Sequence, residues 1–327
     1  MILVTGSAGR VGRSVVAALR STGREVRGFD LRASGTGGDE VVGSLEDAGS
    51  VARAVTEVTG VLHLGAFMSW AAADRDRMFS SNVDGTRRLL DAAAGAGVKR
   101  FVFASSGEVY PENLPEFLPV TEDHPLRPNS PYGLTKLLGE ELVRFHQRQK
   151  KMETVILRFS HTQDAAELLD EESFFSGPRF FLRSRVKQQE NFGNKLIADL
   201  LRAADIGQPA HVLARNQDGR PFRMHITDTR DMVAGILLAL DHPDAAGSVF
   251  NLGSDEPVDF ADIVPRMSAM TGLPVVTVNL PGAGVYYHTS NRRITETLGF
   301  KPEWTMDRML QEALSARQHR QAVGKAS

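Results

Sequence analysis

At 327 residues, with 42% apolar and 24% charged side chains, the chain is long enough for two packed lobes and too apolar for a disordered or collagen-like polymer. Thirty-eight Lys and Arg against forty Asp and Glu leave a formal charge of −2, which gives no global basic excess for nucleic-acid binding. Zero cysteines exclude a disulfide frame, thiolate metal sites and a cysteine nucleophile. No apolar run approaches the ~20 residues of a membrane span, and with the strand-like start Met1-Ile2-Leu3-Val4 no leader is expected. The expectation is a cytoplasmic protein that binds neither membrane nor nucleic acid.

In chain order, Ile2–Thr5 reads as a buried strand, Val11–Ser21 as an amphipathic helix, Glu25–Asp30 as a strand, Val51–Val58 as a helix and Val61–Leu64 as a strand. Asn82–Ala96 follows as a helix, Arg100–Ala104 as a strand, Pro131–Lys150 as a long helix and Thr154–Phe159 as a strand. Short apolar strands alternating with helices imply right-handed βαβ units and a parallel sheet. Beyond Phe159 the pattern loosens: helix at Lys195–Ala204, strand at His211–Ala214, helix at Asp231–Leu240, strands at Val249–Leu252 and Val275–Val278, helix at Met306–Arg317, and a polar, frayed end over Ala316–Ser327. The predicted fold is α/β: a Rossmann-type doubly wound parallel sheet over residues 1–160, with a return to the sheet near 211–252, and a smaller C-terminal α/β substrate-binding lobe within 161–327.

Strand Ile2–Thr5 runs into Gly6-Ser7-Ala8-Gly9-Arg10-Val11-Gly12 and then a helix. Glycines at this spacing let the chain turn tightly and bring backbone N–H groups and the helix N-terminus to a pyrophosphate. Asp30 ends the second strand, 18 residues past Gly12, where a carboxylate accepts from both ribose hydroxyls and repels a 2′-phosphate. NAD is therefore the expected cofactor, with Arg32 close enough to soften that choice. A solvated strand-end aspartate is the plainer reading of Asp30.

Tyr132 and Lys136 stand one turn apart at the start of the long helix and share a face. An ammonium beside a phenol favours phenolate, so with the positive nicotinamide ring the pair is expected to bring Tyr132 down from ~10 towards neutrality as the base for a hydroxyl proton. Ser105 and Ser106 follow strand Arg100–Ala104, at the carboxyl end where ligands bind in such sheets. No Gly-x-Ser-x-Gly elbow marks a hydrolase, and no His/Glu cluster has metal-ligand spacing, so no metal is expected. His63 reads as structural. Tyr286-Tyr287-His288 reads as core or as the floor of a pocket.

Taken together, the Gly6/Gly9/Gly12 loop, Asp30, His63-Leu64-Gly65-Ala66, Asn82-Val83-Asp84-Gly85-Thr86, Ser105-Ser106 and Tyr132–Lys136 resemble, in order, the extended short-chain dehydrogenases/reductases, within them the NAD-dependent epimerase/dehydratase group. The resemblance covers most of residues 1–160. It implies Tyr132 as acid/base, Lys136 as anchor of the nicotinamide ribose, Ser106 as holder of the reacting hydroxyl, and Glu108 as a further catalytic carboxylate. It implies a cofactor groove lined by Gly6, Gly9, Arg10, Val11, Gly12, Asp30, Arg32, Ser44, Leu45, Leu64, Gly65, Ala66, Asn82, Ser105, Tyr132 and Lys136. It also implies a sugar substrate held at Ser106, and a homodimer formed through the helices at 82–96 and 131–150; Gly107, His161, Arg179 and Arg223 are further candidate substrate contacts read from the residues themselves.

Several positions depart from the family. Gly107 precedes Glu108 where dehydratases carry an aspartate, Pro111 replaces a glycine, and Ser44 stands where an aspartate meets adenine. His161 occurs where an asparagine helps hold the substrate diphosphate, and Leu280-Pro281-Gly282-Ala283 lacks the usual arginine. Arg179, Arg183, Arg185 and Lys187, interleaved with phenylalanines, are candidate replacements. The leading reading is an NAD-dependent epimerase or dehydratase of a sugar, nucleotide-linked in the family's manner. The alternatives are an NAD-dependent dehydrogenase of a free sugar, sugar acid or polyol with net NADH release, and a non-catalytic NAD-binding sensor.

Overall fold

The computed structural model describes residues 1–69 and 72–324. In chain order the first region contains β1 (Ile2–Thr5), α1 (Arg10–Ser21), β2 (Val26–Asp30), β3 (Asp39–Val42), α2 (Ala48–Ala54), β4 (Gly60–His63), α3 (Arg75–Phe79), α4 (Gly85–Gly95), β5 (Arg100–Ser106), α5 (Pro131–Arg148) and β6 (Glu153–Phe159). The remainder contains β7 (His161–Gln163), α6 (Ser176–Phe180), α7 (Leu182–Asn191), α8 (Lys195–Ala203), β8 (His211–Arg215), β9 (Arg223–Met224), β10 (Ile226–Asp228), α9 (Thr229–Asp241), β11 (Val249–Leu252), β12 (Val258–Asp259), α10 (Phe260–Thr271), β13 (Val275–Asn279), α11 (Arg292–Leu298) and α12 (Met306–Gly324).

Seven strands form one parallel sheet in the order β11-β6-β5-β4-β1-β2-β3. This is the doubly wound arrangement that the alternation implied: the chain starts in the middle, runs to one edge, then crosses back to the other. β1 is apolar because both of its faces are covered. Leu3 packs with Phe29, Val61 and Phe101 on one side, and Val4 with Val15, Leu62 and Val102 on the other. Each such side chain removed from water contributes roughly 1.5–3 kcal/mol. The second region has its own core around Phe180, Phe181, Val212, Phe260 and Met309, built on the two-stranded pairs β8–β13, β7–β10 and β9–β12.

The sequence reading marks none of β7, α6, α7, β9, β10, β12, α10 and α11, and three further elements differ from it. β3, polar and edge-placed, carries too little apolar signal to be seen. The helix expected at Asn82–Ala96 is α3 and α4 joined by a π-helical turn at Ser80–Asp84, where Asn82 turns inward and Thr86 Oγ1 donates to its carbonyl at 2.6 Å. The end expected to fray instead continues α12 to Gly324, because Arg317 and Arg320 donate to the carbonyls of Leu169 and Ala166 at 3.0 and 3.2 Å. The rest of that expectation, residues 325–327, lies outside the described residues. No described helix is long and apolar enough to cross a membrane.

Candidate active site

The turn between β1 and α1 is set by glycine. Gly6 has φ +69°, and a Cβ there would lie 2.6 Å from the Cα of Gly65. A Cβ at Gly12 would overlap the Gly6 carbonyl. Gly9, the cap of α1, supplies no side chain to its first N–H groups, which are left for an anion. Asp30 reaches this loop from the end of β2: its Oδ2 accepts from Ala8 N at 3.0 Å and its Oδ1 from Arg32 N at 3.4 Å. A backbone cradle closed to side chains, with a carboxylate beside it, fits the pyrophosphate and adenosine ribose of NAD.

Other groove positions are placed less directly. Leu64 lines the cavity described below, and Gly65 packs against Gly6. Ala66 and Arg32 are exposed. The Ser44 hydroxyl accepts from Glu46 N at 3.0 Å, and Leu45 packs on Gly85. Asn82 bolts rather than lines. Its Oδ1 accepts from Phe67 N at 2.7 Å, and its Nδ2 donates to Phe67 O at 2.8 Å and Thr135 Oγ1 at 3.1 Å, fixing the segment after β4 to α5. His63 is buried between Thr5 and Thr86 at 2.7 and 2.9 Å. Burial, helped by Lys136, holds it neutral with a pKa of about 3.

Helix α5 begins where Ser130 caps it. Ser130 Oγ accepts from Gly133 N at 2.9 Å and donates to Glu108 Oε2, and Pro131 follows at the first helical position. This start presents Tyr132 and Lys136 to the carboxyl ends of β4 and β5. The Lys136 ammonium donates to Ala104 O at 2.7 Å and lies 5.7 Å from the Tyr132 ring centre. Burial, opposed by Glu140, brings Lys136 down to about 8. The Tyr132 phenol moves the other way from the expectation: burial, and then the charge of Glu108, push it above its ordinary value. The chain's own residues therefore do not lower it, since desolvation disfavours phenolate and the nearby ammonium is tied to a carbonyl.

Ser106 Oγ accepts from Glu108 N at 3.1 Å. Ser105 is adjacent but committed elsewhere: its hydroxyl donates to Glu140 Oε1 at 2.6 Å, inside the buried Glu140–Arg158 pair. Gly107 is the only residue that fits its place, because a Cβ would collide with the buried Tyr287 hydroxyl.

These groups open on one cavity of about 640 Å³ that runs from Gly6, Gly9, Arg10, Val11 and Gly12 past Tyr132, Lys136, Ser106 and Glu108 into the second region. There it meets His161, Phe175, Arg179, Arg185, Phe222 and Phe260. Arg179 donates to Gln163 Oε1 at 3.2 Å, and burial with Arg185 nearby lowers it to about 10. Arg223 is not brought in. Its chain neighbours Phe222 and Met224 line the cavity and Arg223 is not among the lining residues; successive side chains of extended backbone point to opposite faces, and its guanidinium lies 5.8 Å from the Tyr286 ring centre. Among the described residues no cluster of His, Asp and Glu is arranged to hold a metal.

The sequence reading missed Glu112, whose side chain also lines the cavity. Burial, reinforced by Glu108 and opposed by Arg179, raises it to about 8. The signal was local: Pro111 in place of glycine, followed by a carboxylate four residues after Glu108.

The sequence pattern of the NAD dependent epimerase/dehydratase family matches residues 2–165. A short-chain dehydrogenase/reductase superfamily protein from Agrobacterium tumefaciens, solved with bound NAD, is 76% identical over the whole of both chains with a TM-score of 0.99. The UDP-glucose 4-epimerase of Lactobacillus helveticus is 26% identical over 92% of each chain. MoeE5, solved in complex with UDP-glucose and NAD, is 25% identical over 98% of this chain and 99% of its own, with a TM-score of 0.74.

Proposed function

The chain belongs to the NAD-dependent epimerase/dehydratase family, and from that premise we propose that it acts on a secondary alcohol of a sugar, nucleotide-linked as in the UDP-glucose complex of MoeE5, with Tyr132 as acid/base. It is an NAD-dependent enzyme. One observation carries the reading: Ser106, Tyr132 and Lys136 share a single cavity with the glycine loop.

In this reading the Gly6–Gly12 loop holds the pyrophosphate, Asp30 the adenosine ribose and Lys136 the nicotinamide ribose. The chemistry supplied by bound NAD is the acceptance and return of hydride at the carbinol carbon. Ser106 holds the carbinol hydroxyl, and Tyr132 takes its proton and later gives it back. Lys136, positively charged below about pH 8, favours the phenolate at that moment. Residues 1–160, with the sheet return through 211–252, carry the cofactor. Residues 161–327 mostly close over the sugar, with His161 and Arg179 against it. We further infer a cytoplasmic homodimer through α4 and α5; Leu134 and Phe145, 40% and 50% exposed on α5, support that face.

The test is a screen of the NAD-loaded protein against UDP-glucose, UDP-glucuronate and free glucuronate, following products and NADH absorbance. Turnover without net NADH is the expected result, and steady NADH release makes the protein a simple dehydrogenase instead. Tyr132→Phe is expected to lose roughly 10²–10⁴-fold in kcat, the usual weight of a positioned acid/base, while retaining NAD. Full turnover in that variant removes Tyr132 from the role.

A further inference from the structure

Three arginines line the cavity, Arg10, Arg179 and Arg185, and they are not held alike. Arg10 pairs with Glu167 at 2.7 Å. Arg179 donates to the uncharged Gln163 at 3.2 Å. The Nη1 of Arg185 reaches only the carbonyls of Pro178 and Arg179, each at 3.5 Å, and its Nε is buried without a hydrogen-bond partner. Among the described residues no carboxylate oxygen lies within 4.0 Å of the Arg179 or Arg185 guanidinium. The fold fixes both beside the cavity. Phe180, Phe181 and Leu182 are buried in the second core and pin the junction of α6 and α7 that lies between the two arginines, and the Phe222 ring centre stands 5.5 Å from the Arg185 guanidinium.

We propose that Arg179 and Arg185 form a subsite for a carboxylate carried by the sugar itself, which makes the substrate a sugar acid. A guanidinium keeps its charge when buried, and a charge taken out of water without a counter-charge is costly. Its planar fork matches the two oxygens of a carboxylate. The apolar walls of Phe175, Phe222 and Phe260 strengthen that pairing, because they keep the local dielectric low. His161 Nε2, on the same stretch of cavity, is also buried without a hydrogen-bond partner. Buried polar groups of native proteins are seldom left so, and an oxygen-rich ligand end meets both.

The subsite narrows the substrate class of the proposed function, on which it rests. The supply of donors favours a carboxylate over a diphosphate. Arg185 Nη1 is turned to backbone carbonyls, and the phenylalanine walls donate nothing, so the further oxygens of a diphosphate would face rings unpaired, at a cost. Position agrees. Phe159 pairs with Ser106 in the register of β5 and β6. Gln163, the acceptor of Arg179, follows Phe159 by four residues, at most about 13 Å of extended backbone. Phe159, Ser160, His161 and Thr162 line the cavity without a break along that path. One substrate can therefore touch Ser106 with its carbinol and the arginines with its acid.

The test is calorimetric binding to the NAD-loaded protein of two matched pairs, glucuronate against glucose and galacturonate against galactose. The acid of at least one pair is expected to bind roughly 10- to 100-fold tighter than its neutral counterpart, the weight of hydrogen bonds between charged groups. Arg185→Gln is expected to erase that preference and Arg179→Gln to reduce it, while Arg185→Lys, which keeps the charge without the fork, retains part of it. Equal affinities within both pairs, failure of all four sugars to bind included, overturn the proposal, as does a preference untouched by Arg185→Gln. UDP-glucose carries a diphosphate and no carboxylate, and is expected to bind Arg185→Gln as it binds wild type; weaker binding assigns the arginines to the diphosphate and overturns the proposal too. The wild-type pairs decide even if a variant fails to fold. Tyr132→Phe is expected to lose turnover and keep the preference for the acid, so failure of the subsite and failure of the acid/base assignment give different results.

Discussion

The two walls of the cavity are built differently. On the wall from residues 1–160, functional side chains are fastened to backbone: Asp30 to Ala8 N, Lys136 to Ala104 O, Ser130 to Gly133 N. On the wall from residues 161–327 the cavity-lining side chains are held to backbone more loosely: Arg185 Nη1 reaches the carbonyls of Pro178 and Arg179 only at 3.5 Å. Arg179 leans on Gln163, while His161 Nε2 and Arg185 Nε are buried without a hydrogen-bond partner. Backbone partners are set by the fold itself, so the first wall has one arrangement. Side-chain partners can be exchanged, so the second wall can be fitted to different sugars at small cost to the fold.

Stability should separate the walls most sharply. Arg158 is buried, donates twice to Glu140 at 2.9 and 2.8 Å, and also donates to Tyr110 Oη at 2.7 Å and Glu122 O at 3.0 Å. Removing one partner of such a pair costs about 3–5 kcal/mol, so Arg158→Met is expected to lose that much in a denaturant titration. Arg179→Gln breaks no ion pair within 4.0 Å among the described residues and is expected to stay within ~1 kcal/mol of wild type. Equal losses would erase the distinction between the walls.

Lys136 sharpens the comparison from the other side, since its place in the first wall is fixed at a cost to stability. Its folded pKa of about 8 lies below the ordinary 10.5. Between those values the unfolded chain binds more protons than the folded one, so stability must rise as pH climbs from about 8 towards 10.5. Below about 8 the full penalty stands, on the order of 3 kcal/mol from a shift of this size. Lys136→Met is expected to be more stable than wild type at pH 7, to lose that alkaline rise, and to be inactive. A thermal-melt series across pH that leaves wild type and variant parallel would refute the charge state assigned to Lys136.

These differences also explain what was legible in the sequence. β1, the glycine turn and Asp30 were readable because their pattern is local: an apolar run, a spacing of glycines and one acid at a strand end. The α5 pair was readable because positions four apart share a helix face. Glu112 and Arg223 were not, since the face a side chain takes in a short strand or turn depends on partners far along the chain. Val285 fixes Arg223 through its backbone carbonyl, and Tyr287 reaches beneath Gly107 from 180 residues away. The upward shift of Tyr132 escaped for a related reason, because spacing reveals the lysine but not the burial.

Smaller effects test how the first wall holds its cofactor. Asp30 accepts from Ala8 N within the glycine turn, so Asp30→Ala removes both a support of the turn and the acceptor for ribose hydroxyls. Hydrogen bonds to a charged group are worth about 1.5–3 kcal/mol. The NAD dissociation constant is therefore expected to rise by roughly 10- to 100-fold, measured by calorimetry. Unaltered NAD affinity would mean that Asp30 serves the turn alone.

The smallest expected effect lies where the walls meet. Arg10, in the glycine loop, crosses the cleft to Glu167 at 2.7 Å and Asp164 at 3.7 Å, with its guanidinium 5.4 Å from the Phe175 ring centre. The acids are 31% and 43% exposed, and pairs that wet are worth about 0–1 kcal/mol. Glu167→Gln should therefore leave the melting temperature nearly unchanged and fall further as a perturbation when salt is raised, since screening already weakens the wild-type pair. The informative quantity is the NAD dissociation rate. If the walls are mechanically independent, that rate is unchanged; if the second wall restrains the loop through Arg10, it rises in Glu167→Gln and does so most at low salt. We expect the rise, because Arg10 opens α1 and any freedom it gains is transmitted to the backbone N–H groups that meet the pyrophosphate.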